Sequence, residues 1–282
     1  MHVRTVAFGV VAPDSSAEVL VEDEGRVRRI TINRPERRNA LSGEVLVLLR
    51  AALAHARADS SVRAVILTGA GDRAFSTGAD LVGANSPAAA PRGPTGPSAS
   101  ALHEARGELG RLFEDLWDLG KPSIARVQGY ALAGGLGLAL ACDLVVAADD
   151  AIFGTPEIDI GIWPYMVTVA LLQAMTPKRA LELMMTGRRV GAEEAERIGI
   201  VNRVVPAAEL DAVVDELAEK LARKPPVAMR AGRDSFYTAL ALDPRAALRY
   251  LHPLLTVATL GDEAAEGRAA FSEHRPPKWA EP

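Results

Sequence analysis

The order of the apolar segments constrains the fold of this 282-residue chain more than any other feature. Up to Val205, short apolar runs typical of buried strands alternate with longer stretches whose apolar residues recur at helical spacing. From Glu209 onward the spacing is helical only. Because strands that alternate with helices are the pattern of α/β proteins, the sequence predicts an α/β core followed by a helical C-terminal region.

The chain divides by composition into three parts. We expect an N-terminal extension over residues 1–18, an α/β core over 19–206 and a helical region over 207–282. Four prolines among Ala, Gly and Ser predict a mobile loop at about 85–100, because such a segment has little to bury. The first twelve residues match a secretory signal only weakly, since Gly9 interrupts their short apolar run. The uncharged stretch at 127–142 falls short of the ~18–20 residues of a membrane span.

Charge and cysteine content exclude several function classes. The 32 Lys and Arg against 36 Asp and Glu give a net charge of −4, which argues against a general nucleic-acid binder. A single cysteine, Cys142, rules out an intramolecular disulfide, and its apolar surroundings place it in the core. The five histidines show no zinc-site spacing. These features indicate a cytoplasmic protein without a metal site.

A dinucleotide site is one alternative interpretation. Residues 69–74 (GAGDRA) match the G-x-G-x-x-A pattern directly after a strand. That site also needs a helix at the last position and an acidic residue about 20 residues further on, and the sequence shows neither. A G-x-S-x-G nucleophile motif does not occur in the chain.

Two glycine-bearing segments follow predicted strands, at residues 74–80 (AFSTGAD) and 129–137 (GYALAGGLG). Glycines at a strand-to-helix turn let backbone N–H groups point at a ligand oxygen, and the helix dipole there favours negative charge. Two such turns could provide the two donors of an oxyanion hole. The residues alone leave open a purely structural reading, in which the glycines allow close helix packing.

With these segments, the sequence resembles the enoyl-CoA hydratase/isomerase (crotonase) superfamily over more than 90% of its length. The resemblance rests on five motifs in order: NRP with NAL (33–41), AFSTGAD (74–80), VQGYALAGGLGLALACD (127–143), FGTPEIDIGIWP (153–164) and TGRRVGAEEAERIGIVNRVVP (186–206). It implies a repeated ββα spiral core whose C-terminal helices pack at a trimer interface, often doubled to a hexamer. We therefore expect a homotrimer or hexamer.

The resemblance also implies roles for individual residues in binding an acyl-CoA thioester. The backbone N–H groups of Ala79 and Gly134 match the donors that hold the thioester oxygen and stabilise an enolate. The other implied contacts are the adenine strip at Thr77 and Gly78, the phosphate ligand Arg34 with Arg37 as a further candidate, the adenine neighbour Phe271, and the acyl-pocket residues Tyr130, Trp163 and Tyr165.

The acid/base residues depart from the hydratase pattern. Hydratases of this family carry two glutamates twenty residues apart; the second matches Glu157, but the first is replaced by Gly137. One carboxylate is enough to move a proton from C2 to C4 of a 3-enoyl-CoA, so the resemblance favours double-bond isomerisation with Glu157 as the single acid/base. Tyr165 stands where dienoyl-CoA isomerases have an aspartate, which disfavours that reaction.

Several related activities stay open. They are weak hydratase, decarboxylase or carbon–carbon lyase chemistry on a CoA ester, and CoA-ester binding without catalysis. Assistance to Glu157 by Tyr165 or by His103 is also left open. The resemblance implies no redox cofactor and no metal, with coenzyme A present only as part of the substrate.

Overall fold

The computed structural model describes residues 16–81 and 98–280. Its strands are β1 (Val19–Glu24), β2 (Val27–Ile32), β3 (Ala64–Gly69), β4 (Ala74–Ser76), β5 (Ser123–Val127), β6 (Tyr130–Leu132), β7 (Leu144–Ala148), β8 (Ile152–Gly154), β9 (Arg189–Gly191) and β10 (Arg203–Val205). Its α-helices are α1 (Gly43–Ala58), α2 (Ala99–Trp117), α3 (Gly134–Ala141), α4 (Tyr165–Ala174), α5 (Pro177–Thr186), α6 (Ala192–Ile198), α7 (Leu210–Ala222), α8 (Pro226–Leu240), α9 (Pro244–Leu260) and α10 (Asp262–Ser272).

The strands form two sheets. The larger has the order β1-β2-β3-β5-β7-β10, and the smaller has the order β4-β6-β8-β9. Within the larger sheet only the β1–β2 hairpin is antiparallel. In the smaller sheet β4, β6 and β8 run parallel, and β9 is antiparallel to β8.

A strand of each sheet followed by a helix makes one repeating unit of the chain. The first unit is β3-β4-α2 and the second is β5-β6-α3, while β7-β8 leads into α4 and α5. Gly129 makes the corner between β5 and β6 with φ +60°, and a Cβ there would overlap the backbone of Arg73. Each unit therefore places its short second strand beside that of the preceding unit.

Helices cover both faces of the larger sheet. The main core packs α1, α2 and α3 against one face, with Ile30, Leu67 and Val127 fully buried or nearly so. Helix α7 covers the other face through a smaller cluster that includes Ile66 and Val146. The α/β fold class expected from the sequence is confirmed.

Helix α8 is tied to the core by a polar cluster around Asp143. Asp143 accepts hydrogen bonds from the Arg233 guanidinium at 2.8 Å, from the Tyr237 hydroxyl at 2.6 Å and from the Ser123 amide at 2.8 Å. Helix α9, by contrast, contains no buried residue although it carries several leucines. Most of its apolar side chains therefore remain exposed in the described part of this chain.

Some expectations differ from the structure or fall outside it. The predicted loop at 85–100 lies mostly outside the described residues, and α2 already begins at Ala99, where the Ser98 hydroxyl accepts the Ala101 N–H. Most of the 1–18 extension is likewise outside them. No helix within residues 16–81 and 98–280 is both long and apolar enough to cross a membrane.

Candidate active site

Three chain segments leave the smaller sheet at the same edge. Strands β4, β6 and β8 are parallel neighbours, so their carboxyl ends lie together. Ala79 follows β4, Gly134 begins α3 after β6, and Glu157 lies in a 3₁₀ helix, Pro156–Ile160, that follows β8. The structure thus brings together the three residues that the sequence predicted to be catalytic.

The N–H group of Ala79 points away from Leu41, the residue with which Ala79 pairs. Leu41 donates its N–H to the Gly78 carbonyl at 2.8 Å and accepts the Asp80 N–H at 3.1 Å. This pattern is a parallel bridge between Leu41 and Ala79, in which the N–H of Ala79 points to the opposite side. Gly78 has φ +81°, and a Cβ on it would lie 2.8 Å from the Gly134 nitrogen. The N–H groups of Ala79 and Gly134 are therefore close neighbours.

Gly134 is the first residue of α3, so its N–H has no acceptor within the helix and lies at the positive end of the helix dipole. The preceding residue, Ala133, has φ +52°, a backbone conformation that non-glycine residues rarely adopt. Its N–H donates to the Gly154 carbonyl at 2.9 Å, which ties the start of α3 to the end of β8. Strained backbone is thus fixed next to a free helix N-terminus, as is common at functional sites.

Glu157 lies in a partly buried position. Burial raises the pKa of its carboxyl group from 4.5 to about 7, against a smaller opposing effect of a backbone hydrogen bond. Its Oε2 atom is buried and has no hydrogen-bond partner among the described residues, and the same holds for the hydroxyl of Thr155. A carboxylate with this pKa can accept and return a proton near neutral pH.

Side chains of α2 and α4 fill the space beside Gly137, the position that matches the first glutamate of the hydratases. A Cβ on Gly137 would lie 2.7 Å from Cζ of Phe113 and 3.2 Å from Cγ2 of Val167. Both side chains are buried, with exposures of 2% each. A larger side chain at position 137 therefore has no room unless these neighbours move.

The Arg34 guanidinium, expected to contact coenzyme A phosphates, is instead engaged within the chain. It donates to the Asp80 carboxylate and forms an ion pair with Glu18, each at 3.0 Å, and it donates to the Ala40 carbonyl at 2.8 Å. Asn39 completes this network by bonding the carbonyls of Ala70 and Ala74. The network holds the segment that carries Ala79, so Arg34 is a positioning residue here.

The neighbouring basic residues are more available than Arg34 to contact a phosphate group. Arg37 and Arg38 are exposed, and Arg38 accepts the Thr77 N–H with its carbonyl at 3.2 Å. Arg38 therefore lies beside the Thr77–Gly78 strip that the resemblance assigned to adenine. Sequence reasoning missed Arg38, although it stands in the same motif as Arg34.

Four further candidates from the sequence either lie at the far end of β6 or are exposed in this chain. Tyr130 is at the opposite end of β6 from Gly134, with its ring under the Arg189 guanidinium at 5.9 Å. Tyr165, at the start of α4, is 69% exposed, and Phe271 on α10 is 84% exposed. His103 is exposed on α2. Trp163, in contrast, packs partly buried against the main core beside the segment that carries Glu157.

The two sheets and the repeated strand–strand–helix units define a class of α/β protein, and comparisons with known proteins agree with this fold. The family model described as enoyl-CoA hydratase/isomerase matches residues 22–282. Carnitinyl-CoA dehydratase from Escherichia coli K12 is 37% identical over 260 residues, 90% of this chain and 95% of that protein.

Solved structures of similar proteins match this chain over nearly its whole length. An enoyl-CoA hydratase from Mycobacterium smegmatis has a TM-score of 0.86 and 32% identity, covering 94% of this chain and 100% of that one. Human enoyl Coenzyme A hydratase domain-containing protein 3 has a TM-score of 0.85 and 28% identity, covering 93% and 100%. The chain belongs to the enoyl-CoA hydratase/isomerase (crotonase) family and is an acyl-CoA enzyme.

Proposed function

We propose that this enzyme isomerises the double bond of a 3-enoyl-CoA to give the conjugated 2-enoyl-CoA. The observation that carries this proposal is that Gly137 stands where the second carboxylate would be, while Glu157 keeps its carboxylate at the edge of the smaller sheet. Glu157 is held there with a pKa of about 7, while Phe113 and Val167 fill the space beside Gly137. Isomerisation needs one acid/base group, whereas the two-carboxylate hydration mechanism needs a second one.

The reaction begins with the thioester oxygen between the N–H groups of Ala79 and Gly134. The Glu157 carboxylate removes a proton from C2, and the electron pair of that C–H bond moves into the thioester to give a dienolate. The two N–H groups stabilise the negative charge on oxygen, each by roughly 10²–10³ in rate. The carboxylic acid then returns the proton to C4, the thioester re-forms, and the double bond lies between C2 and C3.

Apolar side chains next to Glu157 support an apolar acyl group. Ile160, Ile162 and Met166 follow it in sequence and are exposed in this chain, as is Tyr165. Exposed apolar side chains in such a cluster mark a surface that binds a ligand or a partner. For the nucleotide end of the substrate, we propose that Thr77 and Gly78 contact the adenine and that Arg37 and Arg38 meet the phosphates.

We also propose that the enzyme is a homotrimer or hexamer. The support is the uncovered apolar surface of the C-terminal helices, formed by Phe236, Leu248, Leu255, Val257, Leu260 and Phe271, each at least 59% exposed. Burial of such a surface between copies drives association. Phe271 then lies next to the adenine of a neighbouring copy. Light scattering on the purified protein tests this, and a monomer would contradict it.

A second candidate function is the removal of water from a 3-hydroxyacyl-CoA. The similarity to carnitinyl-CoA dehydratase favours it. The oxyanion hole would stabilise the enolate and Glu157 would remove the C2 proton. The C3–O bond would then break as the Glu157 carboxylic acid returns that proton to the hydroxyl group, which leaves as water.

Parallel assays of three ester classes test these proposals. Purified enzyme is incubated separately with 3-enoyl-, 2-enoyl- and 3-hydroxyacyl-CoA of matched chain length, and products are separated by mass spectrometry and chromatography. We expect conversion of the 3-enoyl ester to be the fastest reaction and to disappear in Glu157→Gln. Faster dehydration of the 3-hydroxy ester would select the second candidate, and binding without turnover of any ester would contradict both.

A further inference from the structure

The face of α3 that starts at Gly134 is covered by one face of α2. A Cβ on Gly134 would lie 3.0 Å from Cδ2 of Leu109, and one on Gly137 would lie 2.7 Å from Cζ of Phe113. Gly134 and Gly137 are three residues apart, and Leu109 and Phe113 are four apart, so each pair shares a helix face. The amide donor at Gly134 and the Phe113 ring therefore lie along the same helix–helix seam.

The Phe113 ring is fixed in this seam. It is 2% exposed, and its centroid lies 6.4 Å from that of Trp117 one turn further along α2. From α4, Val167 closes the other side of Gly137, with Cγ2 at 3.2 Å from the position of a Cβ there. The side chains nearest to a Cβ on Gly137 are thus apolar, and they occupy the space that a carboxylate-bearing side chain there would need.

From this packing we propose that Phe113 determines the reaction outcome by excluding water from the Gly137 side of the acyl site. The proposal rests on the isomerase function above and deepens it. With water excluded, the proton that Glu157 takes from C2 returns to C4 of the same molecule instead of exchanging with solvent. The dienolate and the 2-enoyl product also meet no water on that side, so the product is not hydrated.

A single-turnover isotope experiment tests this. Excess enzyme converts a 3-enoyl-CoA carrying deuterium at C2 in ordinary water, and mass spectrometry measures the deuterium found at C4 of the product. For wild type we expect most of the transferred isotope to be retained. In Phe113→Ala we expect retention to fall roughly threefold or more, because an opened site lets protons leak to solvent. Phe113→Leu is the milder variant if the alanine variant does not fold.

Leu112→Ala is the matched control, because Leu112 is the preceding residue of α2 and is fully buried. We expect its retention to equal that of wild type. Equal retention in the control and in the folded Phe113 variants overturns the proposal. Failure of wild type to isomerise at all would contradict the proposed function, whereas isomerisation with unchanged retention contradicts only the role of Phe113.

Hydration of a 2-enoyl-CoA gives a second readout. We expect Gly137→Glu alone to hydrate the ester no faster than wild type, since Phe113 occupies the space that the new side chain needs. The double variant Phe113→Ala/Gly137→Glu should hydrate the ester about 10-fold or more faster than Gly137→Glu, because it has both room and a second carboxylate. Wild-type hydration at a rate comparable to isomerisation would overturn the proposal, as would equal hydration by the single and double variants.

Discussion

Replacing Glu157 by glutamine should stabilise the folded protein at alkaline pH although it removes the proposed base. Burial raises the folded-state pKa of Glu157 from 4.5 to about 7, so the folded protein binds this proton more tightly than the unfolded chain does. The carboxyl group costs no stability below pH 4.5, where it is neutral in both states. Its cost grows between pH 4.5 and 7 and is fully present above pH 7.

The size of this loss of stability follows from the two pKa values of Glu157, 4.5 and about 7. Each unit of pKa difference is worth ~1.4 kcal/mol, so the ionised group costs about 3 kcal/mol at pH 8, and partial exposure reduces this to about 2–3 kcal/mol. At pH 5 the same calculation gives a cost in folding free energy of under about 1 kcal/mol. Glutamine has the same shape without the charge, so Glu157→Gln removes this cost.

Urea denaturation at pH 5 and pH 8, at fixed protein concentration, measures the difference. We expect Glu157→Gln to exceed wild type in free energy of unfolding by about 2–3 kcal/mol at pH 8 and by under about 1 kcal/mol at pH 5. Asp150→Asn, in the exposed turn between β7 and β8, makes the same charge change and should alter stability little at either pH. A glutamine variant that is less stable at pH 8, or an advantage that does not change with pH, would refute the reasoning.

Three further predictions test the packing around the site, the Arg34 network and the attachment of α8. Gly137→Ala should lower the free energy of unfolding by about 1–3 kcal/mol despite alanine's better helix propensity, and Phe113→Leu should relieve part of that loss; additive effects in urea denaturation would contradict the contact. Asp80→Ala removes the buried partner of the Arg34 guanidinium, which keeps Glu18, and should cost about 1–3 kcal/mol by the same method, so an unchanged midpoint would contradict the network. Asp143→Ala should loosen α8, seen as faster hydrogen exchange in residues 226–240, and unchanged exchange there would show that the polar cluster does not hold this helix.

The sequence predicts the larger sheet and the main helices well because these elements carry long apolar patterns. The runs at 64–69, 123–127 and 144–148 are buried strands, and β7 lies at 144–148 as predicted. The smaller sheet was not predicted, since its four strands are three residues each and are too short to show a periodicity. Its existence nevertheless decides where the site lies.

Local motifs predict the backbone donors and Glu157 but not their surroundings. Ala79, Gly134 and Glu157 each follow a short strand of the smaller sheet, and their proposed roles come from the motifs and the resemblance. The contact of Phe113 with Gly137 joins two helices whose packing no local pattern reveals. Arg34 shows the same limit, because an arginine in a matching motif gave no sign that Asp80 and Glu18 bind its guanidinium.

The most direct test of the central claim is isotope uptake from D₂O by a 3-enoyl-CoA ester, with wild type and Glu157→Gln compared side by side. Over prolonged incubation the reversible reaction accumulates even a small fraction of solvent exchange, and mass spectrometry locates the deuterium. We expect wild type to form the 2-enoyl ester and to place deuterium at C2 and C4, and the glutamine variant to do neither while still binding the ester. Isomerisation or isotope uptake that persists in Glu157→Gln would contradict Glu157 as the single acid/base of an enolate-forming enzyme.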